Sequence, residues 1–170
     1  MLDLFSGLGG ASAAMRERGW KVTTLDFASD FKPDIVADIR DFSWKGGPLD
    51  LIWASPPCEE FSREFMPWCR TGKEPSMALV EAGYRVIQEA APRFWAIENT
   101  RGAVKWFRPL LGPPAWISNP IYLWGNFPPL PKLRLNMRKE KMSSSWAAER
   151  AKIPYEVSLA LAISVESALP

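Results

Sequence analysis

The chain has 170 residues, 47% of them hydrophobic and 24% charged, with a formal net charge of +2. This length suits one domain, so we expect residues 1–170 to form a single unit around one core. The chain has no histidine and two cysteines, Cys58 and Cys69, which excludes a Ser-His-Asp triad, a His-ligated zinc site and a four-thiolate metal site. We therefore expect no metal.

Short apolar strands alternate with helical patterns along the chain, which is typical of a mostly parallel α/β sheet with helices on both faces. Strands are predicted, in chain order, over residues 1–5, 22–26, 35–37, 49–54, 94–98 and 121–124. Helices are predicted over residues 11–18, 77–91 and 154–167. Ser76 is suited to cap the second helix and Pro92 to end it. Residues 109–131 are rich in proline, and we expect mostly loop there.

The sequence carries no sign of export or membrane residence. Its apolar runs are much shorter than the about 20 residues of a membrane-spanning helix. It opens on a strand-like segment rather than on a basic stretch followed by an apolar core. Because unpaired thiols are typical of a reducing compartment, we expect a cytoplasmic protein with no membrane contact.

Positive charge is concentrated in one segment near the end of the chain. Residues 132–152 hold seven basic and two acidic residues, whereas the rest of the chain holds fourteen basic and seventeen acidic ones. A basic segment on an acidic body indicates contact with a polyanion. The alternative is a solvated, disordered loop.

A glycine-rich turn follows the first predicted strand, in the order Phe5-Ser6-Gly7-Leu8-Gly9-Gly10. Glycines let the backbone turn tightly and approach a ligand. Asp26 ends the second strand, where doubly wound folds bind ribose hydroxyls, and Asp38 after the third strand could accept from an adenine amino group. These features indicate a nucleoside-containing cofactor. Because Ser12 stands where a full G-x-G-x-x-G has its last glycine, a plain turn between strand and helix is the alternative.

Two further polar motifs follow predicted strands. Cys58 lies in Ser55-Pro56-Pro57-Cys58-Glu59-Glu60 after the fourth strand, at the sheet edge where α/β folds bind ligands. Its acidic neighbours disfavour the thiolate. Glu98, in Ala96-Ile97-Glu98-Asn99-Thr100, ends the fifth strand at the same edge. The alternatives are a buried structural cysteine and a salt-bridged or helix-capping glutamate. Cys69 is predicted to be incidental.

Taken together, these motifs resemble the cytosine-C5 DNA methyltransferases. The resemblance rests on the glycine turn, on Pro56-Pro57-Cys58-x-x-Phe61-Ser62 and on Glu98-Asn99-Thr100, which occur in this order over about residues 1–100. Ile153-Pro154-Tyr155 is similar to a degraded form of the family's last motif. The resemblance implies a Rossmann-like S-adenosylmethionine-dependent methyltransferase fold. It also implies methyl transfer from S-adenosylmethionine to C5 of a flipped-out cytosine in double-stranded DNA, through a covalent bond between Cys58 and C6.

The resemblance implies a role for each site residue. Cys58 would be the nucleophile and Glu98 its partner on the base, with Asn99 and Arg101 also catalytic. The family's Gln-x-Arg motif has no clear match, and Arg101 is the substitute for its arginine. The cofactor would be bound by Phe5, Ser6, Gly7, Leu8, Gly9, Gly10, Asp26, Phe27, Asp38, Ile39 and Pro56. DNA would be bound by Ser62, Arg63, Arg70, Lys73, Lys132, Arg134, Arg138, Lys139 and Lys141.

The sequence also departs from the family pattern. The large target-recognition domain is reduced to a basic segment, residues 126–146, so a homodimer or a partner chain could supply recognition. Ala151-Lys152 replaces the Gly-Asn of the last motif, and Glu59 replaces the usual glutamine. A small enzyme of this kind would suit a virus, a mobile element or a restriction–modification system in a bacterial, archaeal or virus-infected cell.

Three other functions stay open on the sequence. They are a non-catalytic or partner-dependent subunit that binds cofactor or DNA, an RNA cytosine methyltransferase, and a dinucleotide-dependent oxidoreductase. The last leaves Pro56-Pro57-Cys58 and Glu98-Asn99-Thr100 unexplained.

Overall fold

The computed structural model describes residues 1–63, 66, 70–135 and 151–170. Four residues singled out above, Cys69, Arg138, Lys139 and Lys141, lie outside the described residues.

The described strands form one seven-stranded sheet in the order β3-β2-β1-β4-β5-β7-β6. The strands are β1 (Leu2–Leu4), β2 (Thr23–Asp26), β3 (Ile35–Val36), β4 (Leu51–Ala54), β5 (Phe94–Asn99), β6 (Trp116–Ser118) and β7 (Ile121–Asn126). The first five strands are parallel, and β7 pairs antiparallel with both β5 and β6. The predicted mostly parallel sheet is confirmed, and the fold is that of a Rossmann-like methyltransferase.

The strand order indicates at which edge of the sheet a ligand is expected to bind. From β1 the chain builds outward to β2 and β3, then returns to place β4 on the other side of β1. Ligands of doubly wound folds bind at such a switch point, beyond the carboxyl ends of the strands. Here the glycine turn follows β1 and the Cys58 loop follows β4. The switch point falls between these two strands, so one motif lies on each side of it.

Helices cover both faces of the sheet, as predicted. The described α-helices are α1 (Ala13–Glu17), α2 (Glu59–Arg63), α3 (Ala78–Ala90), α4 (Val104–Leu111) and α5 (Tyr155–Ala168). Helices α1 and α5 pack on one face around Met15, Trp53 and Leu161. Helices α2, α3 and α4 pack on the other face, where the Phe107 ring lies 5.2 Å from Phe61 and 4.8 Å from Trp124, centroid to centroid. None of the described helices is long and apolar enough to cross a bilayer.

The sequence patterns missed two α-helices and one strand, and most predicted boundaries differ from the observed ones by one or two residues. Helix α2, helix α4 and strand β6 were not predicted. Pro109 lies inside α4, where burial of Phe107 outweighs the hydrogen bond that proline cannot donate. Helix α3 begins one residue later than predicted, with Met77 at its N-cap, although the Ser76 hydroxyl still accepts from the Ala78 N–H at 3.3 Å.

Helix α5 holds the glycine turn in place. The Ser158 hydroxyl donates to the Ala11 carbonyl at 2.7 Å and accepts from the Ala14 N–H at 3.1 Å. A Cβ placed on Gly10 would lie 2.6 Å from the carbonyl oxygen of Ile153 and 2.8 Å from its nitrogen. The backbone before α5 therefore packs directly on the turn, and glycine is required at position 10 because of this close approach.

Gly10→Ala is expected to lower the free energy of unfolding by about 1–3 kcal/mol, because the new methyl group would overlap the backbone of Ile153. Gly47→Ala is the matched control, since its Cβ would meet nothing within 4 Å. Urea unfolding followed by circular dichroism measures both. Equal stability of the two variants would contradict the close contact.

Candidate active site

The glycine turn is held in an unusual backbone conformation. Phe5, Gly7 and Gly9 have positive φ angles of 59°, 47° and 70°. Phe5 is not a glycine, so its left-handed conformation is strained. Its ring packs on α3, where a Cβ on Gly83 would lie 3.2 Å away. This packing holds the strained residue, and Phe5 thus contributes to the core as well as to the predicted site.

The turn is open on the side where a ligand is expected. Cβ atoms built on Gly7 and Gly9 would meet nothing within 4 Å. Leu8 between them is 40% exposed, whereas Ser6 and Gly10 are buried. The turn therefore presents free backbone rather than packed side chains at the end of β1.

Asp26 ends β2 and organises the turn beside it. Its carboxylate accepts from the Gly7 N–H at 2.8 Å and from the Ala28 N–H at 2.9 Å. A carboxylate offers about four acceptor positions, so acceptor capacity remains for a further donor. Phe27, the next residue, is 77% exposed and presents an aromatic face at the same strand end. Together they offer the acceptor and the stacking surface that a nucleoside needs.

Asp38 and Ile39 do not present freely accessible side chains to a ligand. The Asp38 carboxylate is paired with the Arg40 guanidinium, which holds the pKa of Asp38 down at about 2. Ile39 is 3% exposed and packs in the core. Arg85 on α3 fixes this loop by donating to the carbonyls of residues 39, 40 and 42 at 3.1, 3.2 and 2.8 Å. The adenine contacts proposed for Asp38 and Ile39 stay predictions.

A cavity of about 400 Å³ lies between this loop, the Cys58 loop and the start of α3. Arg40, Pro57, Glu60 and Leu79 are among its lining residues. Pro56 also lines it, although most of its surface is buried. Of the residues predicted to hold a cofactor, Pro56 is the one that lines this cavity, and its other walls come from α2, the start of α3 and Arg40.

Cys58 is half-buried immediately before α2. Burial raises the pKa of its thiol, and the negative charges of Glu98 and Glu59 raise it further. The Ser62 hydroxyl hydrogen-bonds to the thiol and acts in the opposite direction. As predicted from its acidic neighbours, the resting group is therefore a thiol rather than a thiolate. Cys58 follows β4 and Glu98 lies near the end of the neighbouring parallel strand β5, so both groups are at the same edge of the sheet.

Glu98 is buried at the end of β5, with 8% of its surface exposed. Burial raises its pKa to about 7, and a hydrogen bond with the Ser55 hydroxyl offsets part of that rise. Its carboxyl makes no salt bridge with a described residue. At neutral pH the acid and the carboxylate are therefore both populated, which suits a group that has to donate a proton.

Asn99 joins the Cys58 loop to β5. Its side-chain amide donates to the Pro56 carbonyl at 2.9 Å, and its oxygen accepts from the Thr100 N–H at 2.9 Å. The Thr100 and Ser62 hydroxyls are 3.2 Å apart. These contacts place Asn99 as a support for the loop backbone. No contact between Asn99 and the thiol is seen among the described residues.

The predicted DNA-binding residues fall into two groups. Ser62 and Arg63 are half-buried on α2, and Arg70 and Lys73 are exposed. Helix α2 packs against the turn that begins at Arg101, which is exposed and which the sequence predicted to be catalytic rather than DNA-binding. Lys132 and Arg134 are exposed too, but they alternate with Leu133 and Leu135, which pack on the core. Hydrogen bonds from Trp116 to the Pro131 carbonyl and from Ser118 to the Leu133 carbonyl hold this stretch along β6.

Sequence reasoning did not find Ser55, Arg85 or Lys152. Ser55 continues β4, because its N–H donates to the Leu4 carbonyl at 3.2 Å. The period of two along a strand could have placed it beside Glu98. Arg85 gives no local signal, since its partners are backbone carbonyls distant in sequence. Lys152 lies against Gly10, with its Cγ 2.7 Å from a Cβ placed there.

Comparison with known proteins identifies the family. The family model of the C-5 cytosine-specific DNA methylases matches residues 1–106. The chain belongs to the C-5 cytosine-specific DNA methylase family. The match includes the glycine turn, Cys58 and Glu98, so the resemblance expected from the sequence is confirmed.

Two relatives and one solved structure illustrate the similarity of this chain to known proteins. A protein of Frog virus 3 (isolate Goorha), named "Probable DNA (cytosine-5)-methyltransferase", is 40% identical over 65 residues, 37% of this chain and 30% of the relative. Type II methyltransferase M.AquIA of Picosynechococcus sp. is 29% identical over 127 residues, 62% of this chain and 50% of the relative. The chain thus spans at most about half of these relatives.

The solved structure shows the fold alone. A protein encoded within an E. coli prophage and described as a DNA modification methyltransferase superposes with a TM-score of 0.50 at 19% identity. The superposition covers 74% of this chain and 45% of that protein.

The reactivity of Cys58 should depend on pH as a thiol with a raised pKa does. In a Cys69→Ser background, alkylation by iodoacetamide should rise with pH and reach half its maximum above the ordinary thiol pKa. Glu98→Gln removes a negative charge and should move this midpoint down. Ser62→Ala removes a stabilising hydroxyl and should move it up. A midpoint below the ordinary value would contradict the burial and charge described here.

Proposed function

We propose that this chain methylates C5 of cytosine in DNA, with S-adenosylmethionine as methyl donor. The observation that carries the proposal is that Cys58 follows β4 and Glu98 lies near the end of the neighbouring strand β5, at one edge of the sheet. The Asn99 amide joins the two strand ends through its 2.9 Å hydrogen bond to the Pro56 carbonyl. Family membership, through the match over residues 1–106, supports it. The names of the two relatives support the substrate class.

The chain's own residues fit the proposed cofactor. The open glycine turn, the spare acceptor capacity of Asp26 and the exposed Phe27 ring suit a ribose with an attached base. Asp26 would bind the ribose and Phe27 would stack on the adenine, with Asp38 toward its amino group. When bound, S-adenosylmethionine supplies an electrophilic methyl group.

Cys58 and Glu98 would make the base reactive. C5 of cytosine is a poor nucleophile until Sγ of Cys58, after releasing its proton to water, forms a bond to C6. Protonated Glu98, hydrogen-bonded at N3, stabilises the charge that this attack moves into the ring. C5 then carries the electron pair and takes the methyl group. Loss of the C5 proton expels Cys58 and restores the ring, and the proton acceptor is water or a base other than histidine.

The reaction also requires the base to leave the DNA stack. A cytosine paired in a duplex cannot present C6 to a thiol at a strand end, so it has to be flipped out. Arg63, Arg70, Lys73 and Arg101 follow the two catalytic strands and would bind the displaced nucleotide's phosphates. Lys132 and Arg134 would contact the duplex as a short recognition segment.

A partner-dependent activity is the second candidate, and one observation favours it. In the described part of the predicted recognition segment, residues 126–135, the basic residues are Lys132 and Arg134, which offer few contacts to DNA. A second chain, or a second copy of this chain, would then supply contacts to the DNA sequence. In that case cofactor binding would occur without the partner, while methyl transfer would need it.

Methyl transfer is the direct test. The purified chain should transfer labelled methyl groups from S-adenosylmethionine to double-stranded DNA, and Cys58→Ala should reduce transfer to background. Glu98→Gln should slow it by about 100-fold, because the group can no longer deliver a proton to N3. Ser167→Ala, on the exposed end of α5, should keep the normal rate.

Competition with RNA of the same sequence should leave the rate unchanged if DNA is the substrate. Absence of transfer to any DNA by the folded chain would contradict an autonomous enzyme. Recovery of transfer on adding a second protein would then select the partner-dependent candidate.

Cofactor binding has its own test. Asp26→Ala should weaken binding of S-adenosylhomocysteine about tenfold or more, because a ribose acceptor and the anchor of Gly7 are lost together. Asp30→Ala, an exposed aspartate of the 3₁₀ turn after β2, is the matched control. Isothermal titration calorimetry measures both. Unchanged affinity in Asp26→Ala would place the ribose elsewhere.

A further inference from the structure

Trp53, Ser55 and Glu98 lie next to one another at the same edge of the sheet, with Trp53 and Glu98 buried and Ser55 half-buried. The indole Nε1–H of Trp53 donates to the Ser55 hydroxyl, with nitrogen and oxygen 2.6 Å apart. The register of β4 and β5 places Ser55 beside Glu98, and the Ser55 hydroxyl lowers the pKa of the Glu98 carboxyl. Trp53 is fully buried, so its N–H has to find a partner inside the protein.

The sheet explains why these groups meet. Trp53 and Ser55 are two residues apart along β4, so they point to the same face. Ala54 pairs with Ile97 in the parallel register of β4 and β5, which places Ser55 opposite Glu98. The same face carries Asp3, which pairs in register with Trp53. Asp3 is separated from Glu98 by β4, whereas Cys58 is the described titratable group whose pKa Glu98 raises.

The donor count fixes the direction of each hydrogen bond. An indole N–H can only donate, and a serine hydroxyl has one proton and two acceptor lone pairs. Because Trp53 occupies a lone pair of Ser55, the hydroxyl proton is left to point at Glu98. The Glu98 oxygen that faces Ser55 is therefore an acceptor. When Glu98 is protonated, its proton has to sit on the other oxygen.

We propose that Ser55, oriented by Trp53, is a positioning residue that keeps the Glu98 proton on the oxygen facing the reacting base. The inference rests on the proposed function in one respect, namely that Glu98 hydrogen-bonds the pyrimidine N3. It goes further by naming the residues that decide which oxygen carries the proton. Ser55 and Trp53 do not touch the base and act only through Glu98.

The first test needs neither DNA nor cofactor. Carbon-13 NMR of protein labelled at the glutamate carboxyl carbon follows the titration of Glu98, whose signal is assigned by its absence in Glu98→Gln. Ser55→Ala should raise the pKa of Glu98 by about one unit, because the carboxylate loses a donor. Ser55→Thr, which keeps a hydroxyl, should restore the normal titration. Ser167→Ala, far from the site, should not change it.

Trp53 provides the second arm. Trp53→Phe keeps an aromatic ring in the core but removes the N–H, so the Ser55 hydroxyl becomes free to accept from protonated Glu98. The pKa of Glu98 should rise in Trp53→Phe, and the double variant Trp53→Phe/Ser55→Ala should titrate like Ser55→Ala alone. If the pKa shifts of Glu98 in the two single variants add up in the double variant, Trp53 does not act through Ser55 and the proposal is overturned. Thermal unfolding of each variant checks that the comparison is made on folded protein.

Catalysis gives the last readout. With the proton no longer directed, Ser55→Ala should lower kcat by about tenfold and leave the KM for DNA unchanged, and Ser55→Thr should recover most of the rate. An unchanged Glu98 titration, or an unchanged kcat in Ser55→Ala, would overturn the proposal. The wild-type chain could transfer no methyl group while the Glu98 titrations shift as expected. The proposed function would then fail, and with it the catalytic role of Ser55. The action of Trp53 on Glu98 through Ser55 would still be established.

Discussion

Burial of the Glu98 carboxyl without a cationic partner among the described residues is the constraint on which the chemistry of this sheet edge depends. It raises the pKa of Glu98 to about 7, and the charge that remains on Glu98 helps to raise the pKa of Cys58. Each group therefore favours protonation of the other. The free site therefore holds Cys58 as a thiol. In the proposed reaction, a bound base that engages Glu98 would make the thiolate accessible.

The surrounding contacts maintain that arrangement. Asn99 ties the Pro56 carbonyl to β5, so the thiol loop cannot move away from Glu98 without breaking a buried hydrogen bond. Ser62 stabilises the thiolate from the α2 side, and Ser55 stabilises the carboxylate from the β4 side. A chain that lacks histidine can thus tune an acid and a nucleophile with hydroxyls, amides and burial alone.

Much of this arrangement was predictable from the sequence because strands and glycine turns are local signals. The ends of β1, β4 and β5 carry Phe5, Cys58 and Glu98, and parallel strands bring their carboxyl ends to one edge. Helix α4 and strand β6 were missed, since prolines dominate their region and the packing that stabilises them is tertiary. The Asp38–Arg40 ion pair could not be predicted either, because the sequence pattern does not distinguish a carboxylate that binds a ligand from one that pairs with a neighbouring residue.

The contacts between α5 and the glycine turn affect the order in which the site forms during folding. The hydrogen bonds that join Ser158 to Ala11 and Ala14 connect residues 147 and 144 positions apart, and the Arg18–Glu166 pair spans 148. Contacts of such long sequence separation form late, because a long loop has to close before they stabilise anything. The first strand and its turn are made well before α5, so their final support has to wait for a segment more than 140 residues further along. The edge that would hold the cofactor is therefore completed long after its own residues have been made.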